Sequence, residues 1–269
     1  TEELRQFQLR LAEGARILQG LGPIETGVLP REPVYQEDKL VLYRYQPRVA
    51  EPHPTPLLIV YALVNRPYMM DLQEDRSMIR GLLDAGLEVY LVDWGYPDAK
   101  DRHLTLADYI LRYIDHCVDH LRERHRQDTI NLLGVCQGGA LSLCFTALHP
   151  AKIRNLITMV TPVDFHTPDN LLTHLIRHVN VDLLVDTLGN LPGQLLNFTF
   201  LSLSPFRLAG QKYVDLVDIF DDARALKNFL RMEKWIYDSP DQAGEAFRQF
   251  AKDFFQQNKL IKGEVRIGE

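Results

Sequence analysis

The chain has 269 residues, of which 46% are hydrophobic and 25% charged, and its formal net charge at pH 7 is −6. This composition is ordinary for a globular enzyme, and an acidic balance without a long Lys/Arg run argues against a nucleic-acid partner. Three cysteines are too few for a disulfide framework, and no signal peptide is recognisable, so we expect a reducing, cytoplasmic setting. The lack of an apolar run of roughly 18 residues argues against a transmembrane helix.

The first predicted elements precede the main sheet. Residues 2–20 carry apolar side chains at helical spacing among charged ones, which predicts an amphipathic helix that ends at Gly22-Pro23. A strand is predicted over Lys39–Tyr45, where every second residue is an apolar or aromatic one.

Four short apolar runs then alternate with helical segments. The strands are predicted over Leu57–Ala62, Leu87–Trp94, Thr129–Gly134 and Leu156–Val160. The helices between them are predicted over Asp75–Ala85, over Thr105–Arg124, and from Gly138 to His149-Pro150. Continuous apolar runs are typical of strands buried on both faces. Their alternation with helices predicts βαβ units and a mostly parallel sheet.

The pattern changes after Thr161-Pro162. Residues 165–255 show no second alternation of strands and helices, and we predict that they form a helical cap inserted into the core. The cap would contain amphipathic pieces over Leu171–Leu188, an apolar stretch over Leu195–Leu208, and an aromatic-rich helix over Asp241–Phe255. Lys259–Ile267 has a strand-like pattern, so residues 256–269 are predicted to begin a resumed core, and residues 1–164 to form the N-terminal segment and the main core.

The segment Gly134-Val135-Cys136-Gln137-Gly138 has the spacing of a nucleophile elbow with Cys in place of Ser. Such an elbow places the nucleophile on a strained turn between a strand and a helix, so the residues two positions away on each side must lack bulk. The predicted strand and helix lie where this motif requires them. We therefore predict that Cys136 is the nucleophile, and we expect the helix N-terminus to favour its thiolate.

A cysteine nucleophile indicates acyl transfer rather than hydrolysis. An acyl group taken from a CoA thioester remains a thioester on Cys136, whereas an acyl-serine would be a more stable ester and a poorer donor to an incoming hydroxyl. Cys117 and Cys144 lie within predicted helices, and we expect both to be packed thiols without a catalytic role.

An elbow of this kind works with an oxyanion hole. One donor is the backbone N–H of the residue after the nucleophile, here Gln137, and the other comes from the loop after an earlier strand. That loop would be residues 63–66, with Val64 as the first choice. Together these features predict an α/β-hydrolase-like fold, with a mostly parallel sheet and a helical cap.

Several segments in the same order resemble polyhydroxyalkanoate synthases, from about residue 35 to the end of the chain. They are Tyr61–Tyr68, Asp71–Gln73, Val92–Gly95, the elbow with Gly139, Thr161–Phe165 and Lys259–Gly263. The short segment before the core resembles the catalytic subunit of the two-subunit type. The resemblance implies an acyltransferase that polymerises (R)-3-hydroxyacyl-CoA into a polyester at cytoplasmic storage granules, with a second synthase subunit as partner. It implies no cofactor, and a homodimer stays open.

The family also uses an Asp and a His placed in the core after the cap, where this chain is expected to be incomplete. Asp164 and His166 are the in-chain alternative to that pair, although a polar linker is the simpler interpretation. His174 and His178 have i, i+4 spacing but no third ligand, so no metal site is predicted. Two other functions stay open: a cysteine-dependent acyl or thioester hydrolase, and a noncatalytic core fragment that assembles with a partner. We expect the chain alone to be inactive or to acylate once.

Overall fold

The computed structural model describes residues 22–203 and 218–268 continuously, together with residues 5, 9, 12, 13, 16–20, 212 and 216. Most of the amphipathic helix predicted over residues 2–20, and residues 204–208 of the predicted apolar stretch, lie outside the described residues. The described residues between 5 and 20 are helical.

A six-stranded sheet forms the centre of the molecule. Its strands are β1 (Arg31–Glu37), β2 (Leu40–Tyr45), β3 (Leu57–Val60), β6 (Val89–Asp93), β7 (Ile130–Val135) and β8 (Ile153–Met159). Their order is β1-β2-β6-β3-β7-β8. The pairs β1–β2 and β2–β6 are antiparallel, while β6, β3, β7 and β8 are parallel to one another. A separate hairpin pairs β4 (Asp71–Gln73) with β5 (Arg76–Ser77).

The central strands are buried on both faces, as the continuous apolar runs predict. Every residue of β3 and β6 is buried, and β7 has one half-buried residue. Each central parallel strand hydrogen-bonds to a neighbour on both sides and is covered by helices on both faces. The four predicted strands of this region are confirmed to within a few residues at each end. The expectation of burial on both faces is wrong for β8, which lies at the sheet edge and has three half-buried and four exposed residues.

Helices cover the sheet. They are α1 (Met78–Asp84), a π-helical segment (Asp108–Ile114) that continues into α2 (Asp115–His125), and α3 (Gln137–Leu148). Short 3₁₀ turns occur at Pro67–Met70, Ala99–His103 and Pro150–Lys152. No helix among the described residues is long and apolar enough to cross a membrane.

The segment after β8 is helical, as predicted. Its helices are α4 (Leu171–Ile176), α5 (Val181–Leu188), α6 (Gly193–Ser202), α7 (Ala223–Tyr237) and α8 (Gly244–Gln249), the last continuing into a π-helical segment (Phe250–Gln256). Residues 243–256 do not lie over the sheet as a separate layer. Ala243, Ala246, Phe250 and Phe254 belong to the hydrophobic cluster that also contains the strand residues of the core.

The prediction of a strand over Lys259–Ile267 is wrong. Residues Lys259–Lys262 form a helical turn, α9, which Gly263 ends with a φ of 69°, and residues 263–268 have no regular structure. Leu260, Val265 and Ile267 pack against the core cluster as side chains from a turn and an irregular segment. An alternating apolar pattern can be buried in this way without a strand partner, which explains why the pattern was misleading.

Candidate active site

Cys136 lies at the turn between β7 and α3, at the carboxyl end of the parallel strands. Its backbone has φ 54° and ψ −125°, outside the regions that a residue with a side chain usually adopts. Such strain persists only where the surrounding structure enforces it, and it is concentrated at functional sites. The sequence prediction that this segment is a strained turn between a strand and a helix matches the geometry.

The two elbow glycines are required by close approach of backbone. A Cβ added at Gly138 would lie 2.3 Å from the carbonyl oxygen of Val60 and 2.6 Å from that of Tyr61. A Cβ at Gly134 would lie 2.5 Å from Cα of Gly139. A side chain at Gly138 would therefore push the elbow away from the end of β3, and a side chain at Gly134 would push β7 away from helix α3.

Burial controls the ionisation of the nucleophile. Desolvation raises the pKa of the Cys136 thiol above its ordinary value, and a hydrogen bond from the backbone N–H of Gln137 offsets this only in part. The N–H of Gln137, at the N-terminus of α3, lowers the pKa of Cys136 as expected, but burial raises that pKa by more, so the net shift is upward. At neutral pH the thiol stays protonated, so attack on a carbonyl requires a base to take the proton.

The side chain of Gln137 joins the elbow to the loop after β3. Its Oε1 accepts a hydrogen bond of 3.0 Å from the backbone N–H of Leu63, and both residues are buried. The N–H of the next residue, Val64, donates to no acceptor among the described residues. The loop thus uses one N–H to fix its position and leaves the following one available. Sequence reasoning gave Gln137 only a backbone role.

The rest of the loop is held from the core side and from the cap side. From the core, the indole of Trp94 donates to the carbonyl of Tyr61 at 3.0 Å, and the guanidinium of Arg66 pairs with Asp93 at 2.8 Å. From the cap, the indole of Trp235 donates to the carbonyl of Arg66 at 2.9 Å.

A polar chain adds a second connection to the cap. Asn65 Nδ2 donates to Ser239 Oγ at 3.2 Å, and Ser239 Oγ donates to Asn197 Oδ1 at 2.7 Å. The oxyanion loop is therefore not a free surface loop, because hydrogen bonds fix it to β6 and to two helical parts of the cap.

A cavity of about 440 Å³ opens above the nucleophile. Cys136, Gln137 and Val64 all line it, so the structure brings together the three residues that the sequence predicts as nucleophile and oxyanion donors. The remaining walls are almost entirely apolar and come from the segment after β8. They include Phe165, Leu172, Leu175, Ile176, Val181, Leu184, Leu191, Leu195, Leu196, Phe200, Phe247, Phe250 and Phe255. Such a cavity fits an apolar chain attached to Cys136.

Asp164 and His166 do not form an acid–base pair. The Asp164 carboxylate accepts from the backbone N–H of His166 at 2.9 Å and from Asn258 Nδ2 at 2.7 Å. A guanidinium can only donate a hydrogen bond, and a carbonyl oxygen can only accept one. Arg177 therefore donates to His166 Nδ1 at 2.8 Å, and His166 Nε2 donates to the carbonyl of Phe255 at 2.9 Å. Both ring nitrogens are engaged, which leaves His166 without a free lone pair for proton abstraction.

The other polar candidates have structural partners. Asp93, at the end of β6, accepts from Gly95 N at 3.0 Å as well as from Arg66. His174 contacts the carbonyl of Pro168 at 3.2 Å. Within the described part of the chain, no group of three or more His, Cys, Asp or Glu residues could hold a metal ion.

Comparison with known proteins places these features in a family. A family model described as alpha/beta hydrolase fold matches residues 55–263, and one described as "Poly-beta-hydroxybutyrate polymerase (PhaC) N-terminus" matches residues 26–82. The chain is 63% identical, over its whole length and 76% of the relative, to "Poly(3-hydroxyalkanoate) polymerase subunit PhaC" of Allochromatium vinosum. The chain belongs to the PhaC family.

Two further PhaC subunits support this assignment. The chain is 62% identical to that of Thiocystis violacea, covering 99% of this chain and 76% of the relative. It is 56% identical to that of Synechocystis sp., covering 99% of this chain and 73% of the relative. The alpha/beta hydrolase match and the mostly parallel sheet confirm the predicted fold class of this PhaC-family chain.

Proposed function

We propose that the chain carries the acyl-transfer site of a polyester synthase, in which Cys136 takes the acyl group of a (R)-3-hydroxyacyl-CoA. The sulfur of Cys136 would attack the thioester carbonyl, the bond from that carbon to the CoA sulfur would break, and CoA would leave as its thiol with the proton. A hydroxyl of another hydroxyacyl unit would then attack the new thioester. An ester would form and the Cys136 thiol would return.

The strained elbow carries this proposal. Cys136 lies in a backbone conformation that only an enforced turn produces, and it lines an apolar cavity together with Gln137 and Val64, whose N–H groups would be the oxyanion donors. Two N–H donors at the position where negative charge develops stabilise a tetrahedral intermediate. The other two thiols, Cys117 and Cys144, are buried and do not line the cavity, whereas Cys136 is half-buried and does.

The proposal includes a limit on turnover. Among the described residues, no hydrogen bond joins Cys136 Sγ to a histidine or a carboxylate, and the ring nitrogens of His166 are already engaged. A positioned general base contributes roughly 10²–10⁴-fold to such steps. We therefore expect the 269-residue chain by itself to acylate Cys136 slowly and not to sustain polymer growth. A second subunit and a granule surface belong to the same proposal, and they are supported by the family alone.

The test is the stoichiometry of CoA release from 3-hydroxybutyryl-CoA by the 269-residue chain, with Cys136→Ala as the control. A plateau near one CoA per chain that is absent from the control supports the proposal. Sustained release that is lost in His166→Ala would favour the Asp164–His166 pair and a different mechanism. Equal release by the chain and by the Cys136→Ala control would refute an acyl-transfer role for Cys136.

A further inference from the structure

The polar groups that line the cavity are few, and most have partners inside the protein. Asn170 accepts from the backbone N–H of Thr173 and donates to the carbonyl of Phe165. The hydroxyl of Thr199 donates to the carbonyl of Leu195 within its own helix at 2.9 Å. The polar groups of Asn170 and Thr199 thus have hydrogen-bond partners within the protein, so they give no information about a bound molecule.

Gln242 is different. It lines the cavity and only 4% of its surface is exposed, yet its side-chain amide makes no hydrogen bond to any described residue. An amide has two N–H donors and one acceptor oxygen, and those of Gln242 are not among the fully buried polar atoms. A chain that fills the cavity would bury them, and burial without a partner is unfavourable. Buried polar groups in native structures nearly always have partners, so an unpaired one that lines a binding cavity points to a partner supplied by the ligand.

The backbone around Gln242 is fixed in place. Its N–H and carbonyl form an isolated antiparallel bridge with Leu191, with both hydrogen bonds at 2.9 Å. Nearby, the carboxylate of Asp241 accepts from the N–H of Gly193 at 2.8 Å. A Cβ added at Gly244 would lie 2.0 Å from the carbonyl oxygen of Gly189, so the two segments are in direct contact. The amide is thus presented to the cavity from a rigid support, as a binding group requires.

We propose that the amide of Gln242 hydrogen-bonds to an oxygen atom of the chain held in the cavity, and that it makes the site select oxygen-bearing acyl or oligoester chains over hydrocarbon chains. The identity of that chain rests on the proposed function. An apolar wall accepts either kind of chain. A hydrocarbon chain in the cavity would leave the Gln242 amide buried without a hydrogen-bond partner. The site would therefore discriminate strongly against hydrocarbon chains.

The test uses binding without chemistry. In a Cys136→Ala background, the affinity for the methyl ester of the linear 3-hydroxybutyrate trimer is compared with that for a saturated fatty-acid methyl ester of equal backbone length. We expect the trimer to bind more tightly. Gln242→Met, which has nearly the same size, should weaken trimer binding about tenfold, the effect of one hydrogen bond, and leave the fatty ester unchanged. Gln46→Met, the same change at an exposed position that does not line the cavity, should change neither affinity.

Thermal unfolding separates recognition from a structural role. Because the amide of Gln242 has no internal partner, Gln242→Met should unfold at the same temperature as its parent or higher. A lower unfolding temperature with equal loss of both ligands would assign Gln242 a structural role and overturn the proposal, as would a parent that binds no trimer or shows no preference. If Gln242→Met changes the ratio of the two affinities but the chain with Cys136 intact is never acylated, the inference stands and the proposed function is refuted. If Cys136 is acylated but Gln242→Met leaves that ratio unchanged, the proposed function stands and the inference is refuted.

Discussion

The sheet and the cap contribute to the site in different ways. The sheet positions the nucleophile, because β3 and β7 are buried and pack so closely that glycine is required at the elbow. The cap supplies most of the cavity wall, yet α4, α5 and α6 expose large apolar side chains such as Leu171, Leu183 and Phe198. The nucleophile therefore lies on the rigid sheet, whereas most of the cavity wall lies on the more loosely packed cap.

The cap itself divides into two parts. Helix α7 is fixed to the segment before β1, since Lys234 Nζ donates to the carbonyl of Ile24 at 2.8 Å and Arg231 Nε to that of Glu25 at 3.1 Å. Residues 243–256 share the core cluster. Few residues are buried in α4 to α6, with only Thr173 buried in α4, and in α7 only Leu226 is buried. The difference between these helices lies in the hydrogen bonds that tie α7 to the segment before β1. Motion that admits a substrate is therefore expected in α4 to α6 and not in α7.

Hydrogen exchange should give the largest difference between these regions. Amides of β3, β6 and β7 should exchange only through global unfolding, which typically costs about 5–15 kcal/mol. Amides of α4 to α6 should open with a free energy at least roughly 3 kcal/mol lower, because fewer of their side chains are buried. Protection in α7 should be closer to that of the sheet. Uniformly slow exchange through α4 to α6 would contradict a mobile lid.

Substitution at the elbow should show how rigid the sheet side is. Gly138→Ala places a Cβ 2.3 Å from a backbone oxygen, and we expect it to lower the free energy of unfolding by about 2–3 kcal/mol or more and to abolish acylation. Gly81→Ala is the matched control, because a Cβ there has nothing within 4 Å and lies in helix α1. The control should be neutral or stabilising by up to about 1 kcal/mol. Similar urea midpoints for the two variants would refute the packing argument.

Removing the link between the elbow and the oxyanion loop should have a smaller effect. Gln137→Met keeps the side-chain length but leaves the N–H of Leu63 buried without an acceptor, which costs about 1–3 kcal/mol. We expect acylation of Cys136 to slow roughly 10–100-fold, with the loss mainly in the rate constant rather than in substrate affinity, since the loop carries a transition-state donor.

Two variants serve as references for that effect. Gln46→Met, at an exposed position, should leave the acylation rate unchanged. Gln137→Glu keeps an acceptor for Leu63 but adds a negative charge beside the thiol, so it should raise the pKa of Cys136 further and shift alkylation by iodoacetamide to higher pH. A rate in Gln137→Met equal to that of the parent would show that the hydrogen bond does not position the loop.

The smallest effect is expected at His166. His166→Ala removes the hydrogen bonds to Phe255 and Arg177, so it should cost about 1 kcal/mol of stability but change the acylation rate by no more than roughly twofold. Arg177→Met serves as the control, because it removes the hydrogen bond between Arg177 and His166 but keeps the imidazole. A loss of acylation larger than about 100-fold in His166→Ala alone would identify His166 as the base.

Sequence pattern predicted the buried parts of this molecule better than the exposed ones. Continuous apolar runs located β3, β6 and β7 because burial on both faces leaves no polar positions. The strand β1 was missed because it lies at the sheet edge and is mostly polar, and its exposed residues carry no apolar signal. The pattern over 259–267 was misleading because apolar side chains of an irregular segment can also alternate between the core and solvent.

The site divides in the same way. The glycine spacing of the elbow is local and was readable, including the need for small residues at Gly134 and Gly138. The side-chain bond of Gln137 joins residues 74 positions apart, and no local pattern encodes it. The unpaired amide of Gln242 is visible only once the cavity and all its neighbours are known. The sign of the Cys136 pKa shift likewise depends on tertiary burial, which outweighs the helix N-terminus.

The most direct test of the central claim is the location of the acyl adduct. The chain is incubated with a 3-hydroxybutyryl-CoA analogue whose 3-hydroxyl is blocked, so that chain extension cannot remove the adduct, and the three cysteine peptides are mapped by mass spectrometry. The account predicts one thioester adduct on Cys136 and none on Cys117 or Cys144, whose thiols are buried. An adduct on Cys117 or Cys144 with Cys136 unmodified would contradict it.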